Sequence, residues 1–117
     1  MKNFPENYEL VSFFECEPDI LDDDIPWEYN EITFHSKSEN GTLDVKMYMG
    51  SEKMSVVWSQ NKKNVLDLSL SGTQTIEVID QSKMDTLIVK FRSDTVKNLV
   101  IKIRPFISIV WGYDDQH

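Results

Sequence analysis

A single cysteine, Cys16, occurs in the 117 residues, so no internal disulfide can form and a reducing compartment is expected. Flanked by Glu15 and Glu17, Cys16 is expected to be an inert small residue. Histidine is nearly as scarce: His117 is the last residue, and His35 has no obvious partner. Nucleophilic catalysis needs a histidine held between a nucleophile and an orienting acid, and no sharp-turn nucleophile motif accompanies His35. The four glycines, Gly41, Gly50, Gly72 and Gly112, are too scattered for a dinucleotide fingerprint or a phosphate loop. The reading is therefore of a chain that is not an enzyme and takes no cofactor. The opening MKNFPENYEL lacks the apolar stretch of a secretory signal, and no apolar run is long enough to span a bilayer. A cytoplasmic protein without a membrane partner is expected, built as one domain over residues 1–117.

Basic residues are missing from one particular stretch. Residues 15–28, ECEPDILDDDIPWE, contain Glu15, Glu17, Asp19, Asp22, Asp23, Asp24 and Glu28 without a lysine or arginine, whereas the remaining chain has thirteen acids against twelve bases. Nearly all of the net charge of -8 is therefore local. A focused charge of this kind attracts a basic partner and speeds its docking. It argues against nucleic acid, which is bound through basic residues that neutralise phosphates.

After residue 28 the chain reads as strands punctuated by turns. In TLDVKMYMG, Leu43, Val45, Met47 and Met49 alternate with Thr42, Asp44, Lys46 and Tyr48, and Asn40-Gly41 before it is a hairpin signal. EITFHS, MSVVWS, VLDLSLS, TQTIEVID, TLIVKFR, LVIKIR and FISIVW complete the set, with polar turns such as QNKKN and QSKMD between them. No segment after residue 30 is long enough at helical period to cross between parallel strands. The expected fold is mainly β, an antiparallel meander or β-sandwich of about seven or eight strands. At the start, Asn3 and Glu6 suit a capping box, Pro5 suits a first turn, and Leu10, Phe13 and Phe14 share a helical face. A short N-terminal helix covering one end or face of the sheet is predicted, with a strand as the alternative. Trp58 and Trp111 are expected in the core, and YDDQH as a solvated tail.

The acidic block admits three readings. Runs of like charge are commonly just solvated. Calcium is a second option, since carboxylates suit it, but an EF-hand counted from Asp22 puts Pro26 at the fifth position and Trp27 where glycine is required. The third is a docking surface. Ile20, Leu21 and Ile25 interrupt the acids and are expected to pin the segment to the body, while Pro18 and Pro26 limit its freedom. On this reading the partner-binding residues are Glu17, Asp19, Asp22, Asp23, Asp24, Trp27, Glu28 and Tyr29, with no metal ligand among them. Trp27 or Tyr29 would anchor a basic protein within the charged rim, although the blander and preferred reading has Trp27 start the next strand and point inward.

The stretch EPDILDDDI also resembles a motif of the immunity protein 50 family, from bacterial polymorphic-toxin systems. Pro18, Ile20, Asp22, Asp24 and Ile25 fall in register with it, whereas Leu21 stands in place of a histidine and Glu17 in place of an aromatic. The resemblance implies a β-rich inhibitor that neutralises a cognate toxin and has no catalytic activity. A toxin that acts on nucleic acid has a basic active site, which an acidic loop could fill. Two alternatives stay open: a β-sandwich module for calcium or carbohydrate, and a self-assembling scaffold that forms a homodimer by pairing an edge such as TLDVKMYMG.

Overall fold

The computed structural model describes residues 4–81 and 84–113, with residues 28, 80, 81, 84, 85 and 113 described in their backbone alone. Asn3, His117 and most of the YDDQH tail lie outside the described residues, as does the centre of the QSKMD turn. Helix α1 spans Asn7–Phe14 and nine strands follow: β1 Asp19–Ile20, β2 Glu31–Ser38, β3 Gly41–Tyr48, β4 Lys53–Gln60, β5 Lys63–Ser71, β6 Thr73–Gln81, β7 Met84–Phe91, β8 Asn98–Lys102 and β9 Ser108–Tyr113. The chain is mainly β, as expected from its period-two patterning. The ninth strand, β1, was not expected, because two residues are too few to show any period.

Both sheets are antiparallel meanders, ordered β1-β2-β3-β4-β5 and β6-β7-β8-β9. Strand β3 is interior to its sheet, so TLDVKMYMG offers no edge for self-pairing, and the edges fall to β1, β5, β6 and β9. The chain changes sheets at Gly72, whose φ of 71° is open to glycine without strain. Alternation then builds one core between the sheets. Ile32, Phe34, Leu43, Val45, Met47, Met54 and Val56 from the first meet Ile76, Leu87, Val89, Leu99 and Ile101 from the second.

Helix α1 lies against β2, β6 and β7 and so bridges the sheets. Leu10, Phe13 and Phe14 are buried as its face predicts, and Phe14 stacks on Phe34 with ring centroids 4.4 Å apart. The capping box is present one turn later than expected. Glu6 is the N-cap and pairs reciprocally with Glu9, and Pro5 precedes the helix. At the other end the Ser36 hydroxyl donates to the Phe14 carbonyl at 2.7 Å, satisfying one orphan acceptor.

The β2–β3 hairpin turns at Glu39-Asn40, one residue before the expected Asn40-Gly41, since Ser38 pairs with Gly41. Asn40 is committed elsewhere. Its side chain donates to the Ile107 carbonyl at 3.0 Å and accepts from the Ile107 amide at 2.7 Å, as a strand residue would. Its own carbonyl accepts from Trp58 Nε1 and Gln60 Nε2. The hairpin tip is thus stitched to the β8–β9 connection, with Ser38 donating to the Ile103 carbonyl. Trp58 packs against the core as expected. Trp111 does not: it is half-exposed, stacked on Phe91, and donates to the Lys97 carbonyl at the sheet margin.

Candidate functional site

An irregular segment carrying so much like charge needs something to hold it, and a polar residue does so. Asn30, at 4% exposure, lies beneath the loop. Its Oδ1 accepts from the amides of Asp22 and Glu31 at 3.2 and 3.0 Å, and its Nδ2 donates to the carbonyls of Asp22 and Ile25 at 2.6 and 3.1 Å. An irregular loop leaves backbone groups without a ladder partner, and one buried amide can satisfy four of them. Other bonds complete the frame. The Leu21 amide donates to Glu31, extending the β1–β2 pairing, and the Asp24 amide donates to Asp22 Oδ1 at 2.9 Å in an Asx-turn. A 3₁₀ turn over Trp27–Tyr29 then leads into β2.

This frame inverts the expected orientation of the apolar residues. Ile20, Leu21 and Ile25 do not pin the segment; all three are exposed, and Leu21 is 72% so. The Asn30 amide occupies the inside of the loop because the backbone there needs hydrogen bonds that an aliphatic side chain cannot supply.

The sequence-derived site residues separate by role. Glu17, Asp23 and Asp24 are exposed, as is Tyr29 at 73%. Asp22 is half-buried and engaged in the Asx-turn. Trp27 is half-buried, packs against the core, and has a buried indole N–H without an acceptor. Tyr29 is therefore the aromatic open to a partner. The Glu28 side chain lies outside the described residues. Glu15, in left-handed backbone at the helix end, pairs with Arg104 at 3.2 Å, so its charge is partly compensated.

Asp19 reveals an arrangement that sequence reasoning missed. Its Oδ2 lies 3.0 Å from His35 Nε2, while His35 Nδ1 lies 2.7 Å from Asp44 Oδ1. His35, taken as partnerless, thus joins β1 to β3. A signal for half of this existed, because the hairpin register sets His35 opposite Asp44. With both ring nitrogens facing carboxylates, the imidazolium can donate twice, whereas neutral imidazole has one N–H and leaves one contact between two acceptors. Both ring nitrogens are thus engaged, and the arrangement is a clasp between strands. It borders an open hollow of about 390 Å³ that also includes Lys46, Ser55 and Val57.

The Asp44 hydrogen bond is the main cause raising the His35 pKa above 6.5; burial opposes it, and Asp19 adds to it. A pKa higher in the folded than in the unfolded state gives stability that is fully present below pH 6.5 and is lost as pH rises through the folded value. His35 is largely exposed, so the effect on global stability is small. We expect NMR titration to place the His35 midpoint above 6.5, and Asp44→Asn to lower it. A midpoint that Asp44→Asn leaves unmoved would show that the clasp does not exist in solution.

Among the described residues, no cluster of three or more histidine, cysteine or acidic side chains is arranged to hold a metal ion. A hollow of about 460 Å³ at the tips of the β2–β3 and β4–β5 hairpins is lined by Lys37, Asn40, Gln60 and Asn61 among others and by no aromatic. It thus lacks the stacking platform that a carbohydrate module would use. No helix among the described residues is long and apolar enough to cross a membrane.

No family model matches the sequence, and no curated protein sequence matches it, so the resemblance to the immunity protein 50 family rests on the Pro18–Ile25 motif. A solved structure does match. The contact-dependent growth inhibition toxin–immunity protein complex from Klebsiella pneumoniae 342 contains a chain of 22% sequence identity and TM-score 0.79, with 93% of this chain and 94% of that one covered. At this identity the likeness establishes a shared fold with one chain of a toxin–immunity complex.

Proposed function

We propose that this chain is a bacterial immunity protein that binds and neutralises a cognate toxin without catalysis of its own. The observation that carries this reading is the near full-length likeness to a chain of a toxin–immunity complex. The surface proposed for docking is the acidic segment 15–29, whose Asp22–Ile25 loop is framed by Asn30. Glu17, Asp23, Asp24 and Tyr29 meet the partner directly, with Asp19 and Glu28 adding to the field. Asp22 and Trp27 support the loop from below. Because the surface is acidic, the toxin face it covers is basic, as the active site of a nuclease would be. Neutralisation takes place in the cytoplasm, where such a toxin reaches its target.

Replacing Glu17, Asp23 and Asp24 with lysine tests this surface while sparing Asp22 and the loop frame. Association with the toxin encoded in the neighbouring reading frame is expected to slow by roughly ten- to a hundredfold at low salt, with a flatter salt dependence. The melting temperature should hold or rise as repulsion is relieved. Stopped-flow association rates unchanged by the triple variant would rule this surface out as the docking face.

A further inference from the structure

The loop that turns Asn30 inward turns large apolar groups outward. Leu21 is 72% exposed, Tyr29 73% and Ile25 40%, a dense set for one short segment. Together with Tyr48 and Gly50 they line a groove of about 220 Å³ beside the acidic residues. Asp22, Asp23 and Asp24 lie on the loop between Leu21 and Ile25, and Glu31 borders the same groove. No lysine or arginine lines it. An apolar groove with Glu31 on its border and three aspartates on the adjoining loop has the composition of an interface hot spot, in which a water-free centre supplies affinity and nearby charge supplies steering.

We infer that this groove receives a single bulky apolar side chain, carried between lysines or arginines on an exposed segment of the toxin. The inference rests on the immunity reading for the identity of the partner and goes beyond it in locating affinity at Leu21, Ile25 and Tyr29 and not at the carboxylates. Charge complementarity selects the occupant. A second copy of this chain would set two blocks of like charge face to face, and a purely apolar segment would leave the rim's charges desolvated and unpaired. A purely cationic segment would satisfy the rim and leave the groove wet. Only the mixed segment meets both demands. Because the backbone frame is already fixed by Asn30, little ordering is needed when the partner docks.

The test uses two acetylated, amidated peptides of equal charge, Lys-Arg-Trp-Arg-Lys and Lys-Arg-Gly-Arg-Lys, titrated into the isotope-labelled chain and followed by NMR. The tryptophan peptide is expected to shift the amides of Leu21, Ile25, Tyr29 and Tyr48 and to bind roughly tenfold tighter than the glycine peptide. Combined Leu21→Ser, Ile25→Ser and Tyr29→Ser substitution should erase that difference and leave glycine-peptide binding intact. All three side chains are exposed, so the fold should be kept. Equal binding of the two peptides, or shifts centred elsewhere, would overturn the groove. The lysine variant of Glu17, Asp23 and Asp24 separates the two levels of the proposal. If it weakens both peptides while they bind alike, the groove fails and the acidic surface stands; if it weakens neither, the acidic surface itself fails.

Discussion

Asn30→Ala is expected to lower stability by about 3 kcal/mol, since a buried polar group left unpaired costs about 1–3 kcal/mol and this change orphans several together. Water entering the opened loop will recover part of the loss. Four backbone groups, the amides of Asp22 and Glu31 and the carbonyls of Asp22 and Ile25, lose their side-chain partner at once. For a domain of this size the melting temperature should fall by roughly 10 °C. The change should also be local, with faster hydrogen exchange at the Asp22 and Glu31 amides while the rest of the strands keeps its protection. Asn30→Asp sharpens the test. It keeps the shape, but it replaces two donated bonds with a carboxylate facing two carbonyls inside an already acidic segment. That variant should be at least as unstable at neutral pH and recover in part as acid protonates the new carboxyl. An alanine variant as stable as the parent, with unchanged exchange, would mean that something other than Asn30 holds the loop.

Gly41→Ala is expected to be comparably severe for a different reason. At Gly41 the backbone φ is 130°, and a Cβ would lie 2.2 Å from the Ser59 carbonyl oxygen and 3.0 Å from Trp58 Nε1. The clash is with backbone of the neighbouring strand, so no side-chain rotation relieves it. Strands β3 and β4 would have to separate at the point where Trp58 and Gln60 donate to the Asn40 carbonyl. The Asn40 bonds to Ile107 would be disturbed with them, loosening the stitch between the sheets. A loss of about 3 kcal/mol or more is expected, in the range seen when core packing and buried hydrogen bonds fail together. Gly72→Ala is the control: its φ is also positive, at 71°, but nothing lies within 4 Å of the added carbon. Left-handed strain alone amounts to roughly 1–2 kcal/mol. Urea denaturation that found the two variants equally destabilised would mean that the close approach at Gly41 is not what requires glycine.

The strands were legible because alternation survives in a half-buried sheet. Leu43, Val45, Met47 and Met49 were read from sequence as one face, and all four are buried. The face of α1 was legible on the same grounds. Strand β1 was not, because its pairing with Thr33 and Ile32 depends on β2 being in place. The expectation for Ile20, Leu21 and Ile25 failed instructively: hydrophobicity alone would bury them, but an irregular backbone without ladder partners had a stronger need for an amide inside. The same limit applies to Asn40, which marks a turn in the sequence and in the structure also binds a strand connection 67 positions away. His35 shows the reverse case. Its pairing with Asp44 follows from the hairpin register and could have been read, whereas the approach of Asp19 could not.

The amino-acid order by itself determined the two kinds of information that repeat or accumulate along a chain. Side-chain alternation marked the sheet-forming segments and their buried faces, and the count of acids against bases located the charge at residues 15–28. Tertiary structure alone decided which side of the acidic loop faces water, that His35 clasps Asp19 as well as Asp44, and that Leu21, Ile25 and Tyr29 form a groove. The reason is physical: periodicity and charge are properties of neighbours in sequence, whereas the partner that satisfies a bare carbonyl or amide is set by whatever the fold brings within about 3 Å of it.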